Sequence, residues 1–189
     1  KFFMTSELIV NVELEQASAL IIEAKQLIES KLFSEAEPLL VEALTIREKK
    51  HGLEHDDVAA TLIWLADLFK EMECYSESEL YFRRALSIRE KIYGPVHEKV
   101  AATLYWYIEL YEKMNRYTEF EALSLRLLAI NIEIKGPDHA EVAVAYYILG
   151  MCKYECKCYV EAEDCFKNAL EVWDKREHPN LELQTCTLL

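Results

Sequence analysis

The sequence predicts an all-α fold, a solenoid of antiparallel helix pairs, and three observations predict it. Gly and Pro number only four each in 189 residues, too few for the hairpin turns that a β protein of this length needs. Ala, Leu, Glu and Lys are abundant, and these residues lose little freedom on entering a helix. A segment pattern also recurs at a fixed 42-residue spacing, the mark of one supersecondary unit used repeatedly.

The recurrence is plain in three loops: Gly52-Leu53-Glu54-His55-Asp56-Asp57-Val58-Ala59, Gly94-Pro95-Val96-His97-Glu98-Lys99-Val100-Ala101 and Gly136-Pro137-Asp138-His139-Ala140-Glu141-Val142-Ala143. Before each glycine come Ala43-Leu44-Thr45-Ile46-Arg47-Glu48-Lys49, Ala85-Leu86-Ser87-Ile88-Arg89-Glu90-Lys91 and the looser Leu127-Leu128-Ala129-Ile130-Asn131-Ile132-Glu133. Each glycine is expected to stop a helix in a left-handed conformation, which a residue without Cβ adopts freely. Pro95 and Pro137 then forbid further helix.

Four units follow in order. After an N-terminal extension at 1–13, the first unit spans 14–52, with helices at 14–30 and 34–51. The second spans 56–94, with helices at 56–73 and 76–93. Val58, Leu62, Leu65, Ala66 and Phe69 recur at helical spacing in its first helix, and Leu80, Phe82, Ala85, Leu86 and Ile88 in its second. The third spans 98–136, with helices at 98–115 and 118–135. The fourth spans 140–177, with helices at 140–157 and 160–176, and the four units together occupy 14–178. Residues 179–189 read as the start of a fifth unit or a capping segment.

Small residues recur where paired helices must approach to ~8–10 Å: Ala24, Ala66 and Gly150 in first helices, and Ala36, Ser78, Ala162, Ala43, Ala85 and Ala169 in second helices. The third unit instead carries Ile108, Phe120 and Leu127, so local irregularity is expected across 104–128. No unit buries its apolar face alone, and neighbours must therefore stack.

The formal charge of −13 argues against a nucleic-acid partner, whose phosphates attract clustered Lys and Arg, and against an anionic membrane surface. It suits a basic partner, and it also serves solubility. No stretch approaches the ~20 apolar residues that cross a bilayer. Cys74, Cys152, Cys156, Cys158, Cys165 and Cys186 are not spaced as a disulfide scaffold, and they read as reduced thiols of a cytoplasmic protein. Cys152, Cys156, Cys158 and Cys165 could in principle close a tetrahedral zinc site, yet their spacing is not that of a zinc ribbon or knuckle; no metal and no cofactor are expected. His55, His97 and His139 recur with the loop and read as loop or cap residues. Nucleophile-elbow, phosphate-loop and HExxH motifs are absent from the sequence, and no enzymatic role is expected.

The repeat resembles the tetratricopeptide family, whose core motif of roughly 34 residues has apolar, small and aromatic residues at set positions. Leu62, Leu65, Ala66, Phe69, Ser78, Phe82 and Ala85 match it, as do Leu20, Ala24, Leu27, Ala36, Leu40 and Ala43. The longer unit, with A-L-x-I-R-E-K before G-P-x-H-x-x-V-A, is similar to the kinesin light chain and nephrocystin-type branch. The resemblance implies a right-handed superhelix that binds peptides in its concave groove as an adaptor, scaffold or regulatory sensor. That branch commonly carries L-N-N-L-A in its first helices. Here the places read Leu62-Ile63-Trp64-Leu65-Ala66, Leu104-Tyr105-Trp106-Tyr107-Ile108 and Tyr146-Tyr147-Ile148-Leu149-Gly150. With no Asn present, the branch's binding of acidic, Trp-containing peptides does not carry over.

First helices line the groove in such arrays. The groove stripe would be Ile21, Lys25 and Ile28; Ile63, Asp67 and Lys70; Tyr105, Glu109 and Glu112; and Tyr147, Met151 and Tyr154, each set sharing one face. Tyrosines give rigid amphipathic contacts, and Asp67, Glu109 and Glu112 would pair with Lys or Arg. The expected partner is a protein segment or helix with apolar anchors and basic residues, bound by a monomer or weakly self-associating chain. Against this, the tyrosines could pack between units and the acids could simply be solvated. Trp64 and Trp106 read as packing between units. The alternative function is a sensor array in which a ligand-dependent superhelix change controls an attached effector domain.

Overall fold

A computed structural model describes residues 6–174, with side chains from residue 12 onward. The described residues form eight helices and no strand: α1 (Ser6–Glu29), α2 (Phe33–His51), α3 (Asp56–Glu71), α4 (Tyr75–Tyr93), α5 (Glu98–Lys113), α6 (Tyr117–Lys135), α7 (Ala140–Glu155) and α8 (Tyr159–Asp174). They fall into two compact units, Lys1–Gly94 and Pro95–Leu189. In the first unit each helix packs on its sequence neighbour, and α1 also touches α3. In the second, α5 packs on α6, α6 on α7 and α7 on α8. Among the described residues no helix is long and apolar enough to cross a membrane.

Histidines start α3, α5 and α7. His55, His97 and His139 have extended backbone at the N-caps of α3, α5 and α7. Each Nδ1 accepts from the N–H two residues on, at 3.2 Å from Asp57, 3.1 Å from Lys99 and 3.2 Å from Glu141. The imidazole thus satisfies one of the orphan donors that a Ser or Asp cap usually takes.

Helix ends depart from the sequence expectation in two ways. First, α3, α5 and α7 stop at Glu71, Lys113 and Glu155, two residues earlier than the periodicity predicts. Non-glycine residues take the left-handed conformation there: Lys31, Glu73, Asn115 and Lys157 have φ of 60°, 60°, 56° and 63°. The Cys74 N–H donates to the Phe69 carbonyl and the Glu73 N–H to the Lys70 carbonyl, which is the Schellman pattern. Second, Gly52, Gly94 and Gly136 pair positive φ (84°, 82°, 86°) with extended ψ (175°, 171°, 160°). That region is essentially reserved for glycine and is not the left-handed helical one expected. α1 begins at Ser6, inside the span assigned to an extension. The fifth-unit reading of 179–189, the end of the fourth unit and Cys186 lie outside the described residues.

The small residues do what the packing requires. In α7, a Cβ added at Gly150 would meet the Phe166 ring of α8 at 2.6 Å. By register Ala66 faces Phe82 and Ala24 faces Leu40, all fully buried. The Ser78 hydroxyl also donates to the Ala66 carbonyl, 2.7 Å away. In the third pair the sizes are exchanged: Ile108 stands in the first helix and buried Ser124 where its sisters carry Leu or Phe. Phe120 and Leu127 are buried beside them. Accordingly α5 and α6 pack less closely than the other three pairs, although both helices remain unbroken.

Candidate functional site

In the first unit the stripe predicted from sequence is largely spent on internal contacts. Ile21 and Ile63 are buried. Lys25 lies over the Trp64 ring, 3.9 Å from its centroid, and Trp64 packs on the core that joins α1 to α3. Asp67, expected to meet a ligand cation, instead accepts from Lys70 at 2.7 Å. Lys70 itself is only 6% exposed. The pair forms one helical turn, i to i+3, so α3 neutralises its own acid. Ile28 is half-buried.

The second unit keeps more of the stripe at the surface. On α5, Tyr105 is 40% exposed, Glu109 is half-buried and Glu112 exposed. On α7, Met151 is half-buried and Tyr154 is 38% exposed. The Tyr105 ring meets Trp106 edge-on at 6.0 Å, and Tyr154 meets Tyr159 at 5.6 Å. Tyr147 departs from its predicted role. Its ring packs toward α8, 5.8 Å from Phe166 and 6.2 Å from Trp173.

A pocket of about 330 Å³ opens beside Tyr105, lined also by Glu98, Ala101, Ala102, Trp106 and Asn131. One of its lining residues, Asn131, marks a change at a repeat position. Arg47, Arg89 and Asn131 occupy the same place in α2, α4 and α6. Arg47 fills its junction: one nitrogen donates to the Asp57 carbonyl at 3.0 Å and to Thr61 Oγ1 at 2.9 Å, and another reaches Ser18 Oγ at 3.4 Å. Burial lowers the pKa of Arg47, against the pull of Asp57. Arg89 pairs with Asp56 at 3.1 Å. Asn131 repeats only the bond to a backbone carbonyl, donating to that of Glu141 at 3.1 Å. Glu98, which matches Asp56, is exposed at the pocket. Lys135, also in the lining, is held by Glu141 at 2.5 Å. Sequence reading missed Glu98, Trp106 and Asn131 as site residues. The signal was the shortened side chain at 131 in the looser third repeat.

The tetratricopeptide repeat family model matches residues 15–91. The described fold as a whole is an all-α tetratricopeptide-like solenoid. BtubC (BKLC) from P. vanneervenii superposes with a TM-score of 0.77 at 22% identity, over 87% of this chain. This chain spans 66% of that protein's length. The nearly identical TPR-like repeats of a kinesin light chain-type protein from Podosopora anserina give 0.75 at 16% identity, covering 91% of this chain and 85% of that one. A point variant of the same protein also gives 0.75, covering 90% and 84%. No curated protein matches this sequence.

Two groups of metal-capable side chains behave differently. No three of Cys152, Cys156, Cys158 and Cys165 come within 4.8 Å of one another. Cys152 is buried, with its sulfur 3.5 Å from the Tyr117 carbonyl, while Cys156 and Cys158 are exposed. Burial, reinforced by Cys156 and Glu121, pushes the Cys152 thiol up to about 12. The second group is His51, His55 and Asp57, whose ligand atoms do lie within 4.8 Å. There the two imidazoles stack at 4.0 Å, and His55 Nδ1 already serves as the α3 cap.

Proposed function

We propose that this chain is a protein–protein interaction module that holds a partner segment with apolar anchors and basic residues against the first-helix face of its second unit. The observation that carries the reading is the composition of that face on α5 and α7. Tyr105 and Tyr154 stay well exposed, and they alternate with Glu109, Glu112 and Met151. Rigid aromatic surface binds with little loss of side-chain freedom, and carboxylates beside it select Lys and Arg over acidic competitors. Tetratricopeptide folds generally serve protein interaction, and the net charge of −13 favours a basic partner. A preformed helical face needs no cofactor and no chemistry to do this. The setting proposed is the cytoplasm, with the chain acting as an adaptor or scaffold.

A peptide array probed with the labelled chain tests this reading. Retained peptides should be enriched in Lys or Arg next to aromatic or aliphatic residues. Glu109→Lys together with Glu112→Lys should weaken that retention by about tenfold, on the scale of two rim-to-core charge pairs. Enrichment of acidic peptides, or retention unchanged by the charge reversal, would overturn it. Light scattering should give a monomer or a weakly associating species.

A further inference from the structure

We propose that the pocket between α5, α6 and α7 accepts an arginine side chain from outside the chain, a guanidinium standing where Asn131 has withdrawn one. This deepens the interaction-module reading and rests on it for the identity of the donor. The repeat supplies the template. At this position Arg47 and Arg89 each place a guanidinium in a junction of the first unit. Two of the acceptors those arginines use persist in the second unit, while Thr61 and Ser18 give way to Ala145 and Ala102. The Asp57 carbonyl corresponds to that of Glu141, and the Asp56 carboxylate corresponds to that of Glu98. The guanidinium is missing, and a pocket of about 330 Å³ remains.

Charge and shape both point to arginine. Glu98 and Glu141 face the single cation Lys135 across the lining. Lys135 is held by Glu141, and among the described residues no cation is paired with Glu98. One added positive charge balances the site. A planar fork can bond the Glu98 carboxylate and the Glu141 carbonyl together, and its face can lie on Trp106; an ammonium provides neither plane nor fork. The chain already uses such a contact. Trp64, the repeat equivalent of Trp106, carries the Lys25 ammonium on its ring. A helical carbonyl at this place can serve more than one side-chain donor, since that of Asp57 accepts from both Arg47 and Thr61.

The test titrates the full chain with Nα-acetyl-arginine amide, using the lysine amide and the uncharged citrulline amide as controls, and follows the Trp106 indole and Asn131 amide by NMR. Arginine should shift both signals saturably. Citrulline, which keeps the shape and loses the charge, should bind about tenfold more weakly. Glu98→Gln, a surface change that leaves the fold intact, should weaken arginine about fivefold. Asn131→Arg should abolish the saturable shifts by filling the pocket from within, and should raise Tm. Equal binding of arginine and citrulline, or binding undiminished in both Glu98→Gln and Asn131→Arg, would overturn the proposal. If basic peptides bind through Glu109 and Glu112 but are indifferent to Asn131→Arg, this inference fails and the interaction reading stands. If no basic peptide binds while the arginine amide still titrates, the interaction reading fails and the guanidinium site stands.

Discussion

Gly150 in α7 provides the sharpest test of how these helix pairs close. Replacing it with alanine sets two effects against each other. Alanine favours the helix over glycine by about 1 kcal/mol. The new Cβ, however, would sit 2.6 Å, 2.7 Å and 3.1 Å from three carbons of the Phe166 ring, where ordinary carbon contacts lie near 3.5–4.0 Å. The ring must retreat by about an ångström, yet it is only 1% exposed and is backed by Tyr147. Overpacking of this kind costs roughly 1–3 kcal/mol, so Gly150→Ala should lose about 1 kcal/mol net. The diagnostic step is to add Phe166→Leu, because the double variant recreates the Ala24 and Leu40 pair that α1 and α2 already use. Alone, Phe166→Leu opens a void and should cost about 1 kcal/mol. In the Gly150→Ala background it should cost little or nothing, a coupling of about 1 kcal/mol. Urea unfolding followed by far-UV circular dichroism reads all four corners of the cycle. Stabilisation by Gly150→Ala, or additive losses, would refute the steric reasoning.

Further outcomes follow from the same geometry. Gly94→Ala should destabilise by about 2 kcal/mol, the cost of a glycine-only backbone region; Gly94→Ser should match it, because no atom lies within 4 Å of the added Cβ, and a size-dependent loss in urea melts would point to packing instead. A thiol-labelling time course should modify exposed Cys156 and Cys158 first and buried Cys152 only on unfolding, since burial holds that thiol protonated to about pH 12. Lys153 bridges Glu121 at 2.7 Å and Glu161 at 2.5 Å. Those hydrogen bonds raise its pKa above the ordinary 10.5, so its contribution is complete below that pH and fades as the pH climbs through the raised value. The stability gap between the natural chain and Lys153→Met should therefore be about 1 kcal/mol at neutral pH and shrink in strong alkali; a gap that widens there would contradict the assignment.

Much of the fold is legible because the repeat states it three times. The glycine stops, the histidine starts and the small-residue positions each recur at one offset, and each has a single physical reason. The turns inside the helix pairs were not legible to the residue. Lys31, Glu73, Asn115 and Lys157 adopt positive φ without a glycine to announce it, so periodicity carried the first helices one or two residues too far. The candidate site is legible only in part. Helical spacing places Asp67 on the stripe, but it cannot reveal that Lys70, one turn on, has taken its charge. The same spacing assigns Tyr147 to the face, while its ring packs toward Phe166 and Trp173. The pocket at Asn131 sits beside a shortened side chain, and this emerges only when the repeats are compared atom by atom.

The most direct measurement locates a bound basic peptide on the molecule. A peptide retained from the array, carrying a spin label, should broaden the NMR signals of Tyr105, Glu109, Glu112, Met151 and Tyr154 on α5 and α7. It should leave the exposed Leu125 and Ile134 of α6 untouched. Broadening concentrated on Leu125 and Ile134, with α5 and α7 silent, would contradict a binding role for the first-helix face.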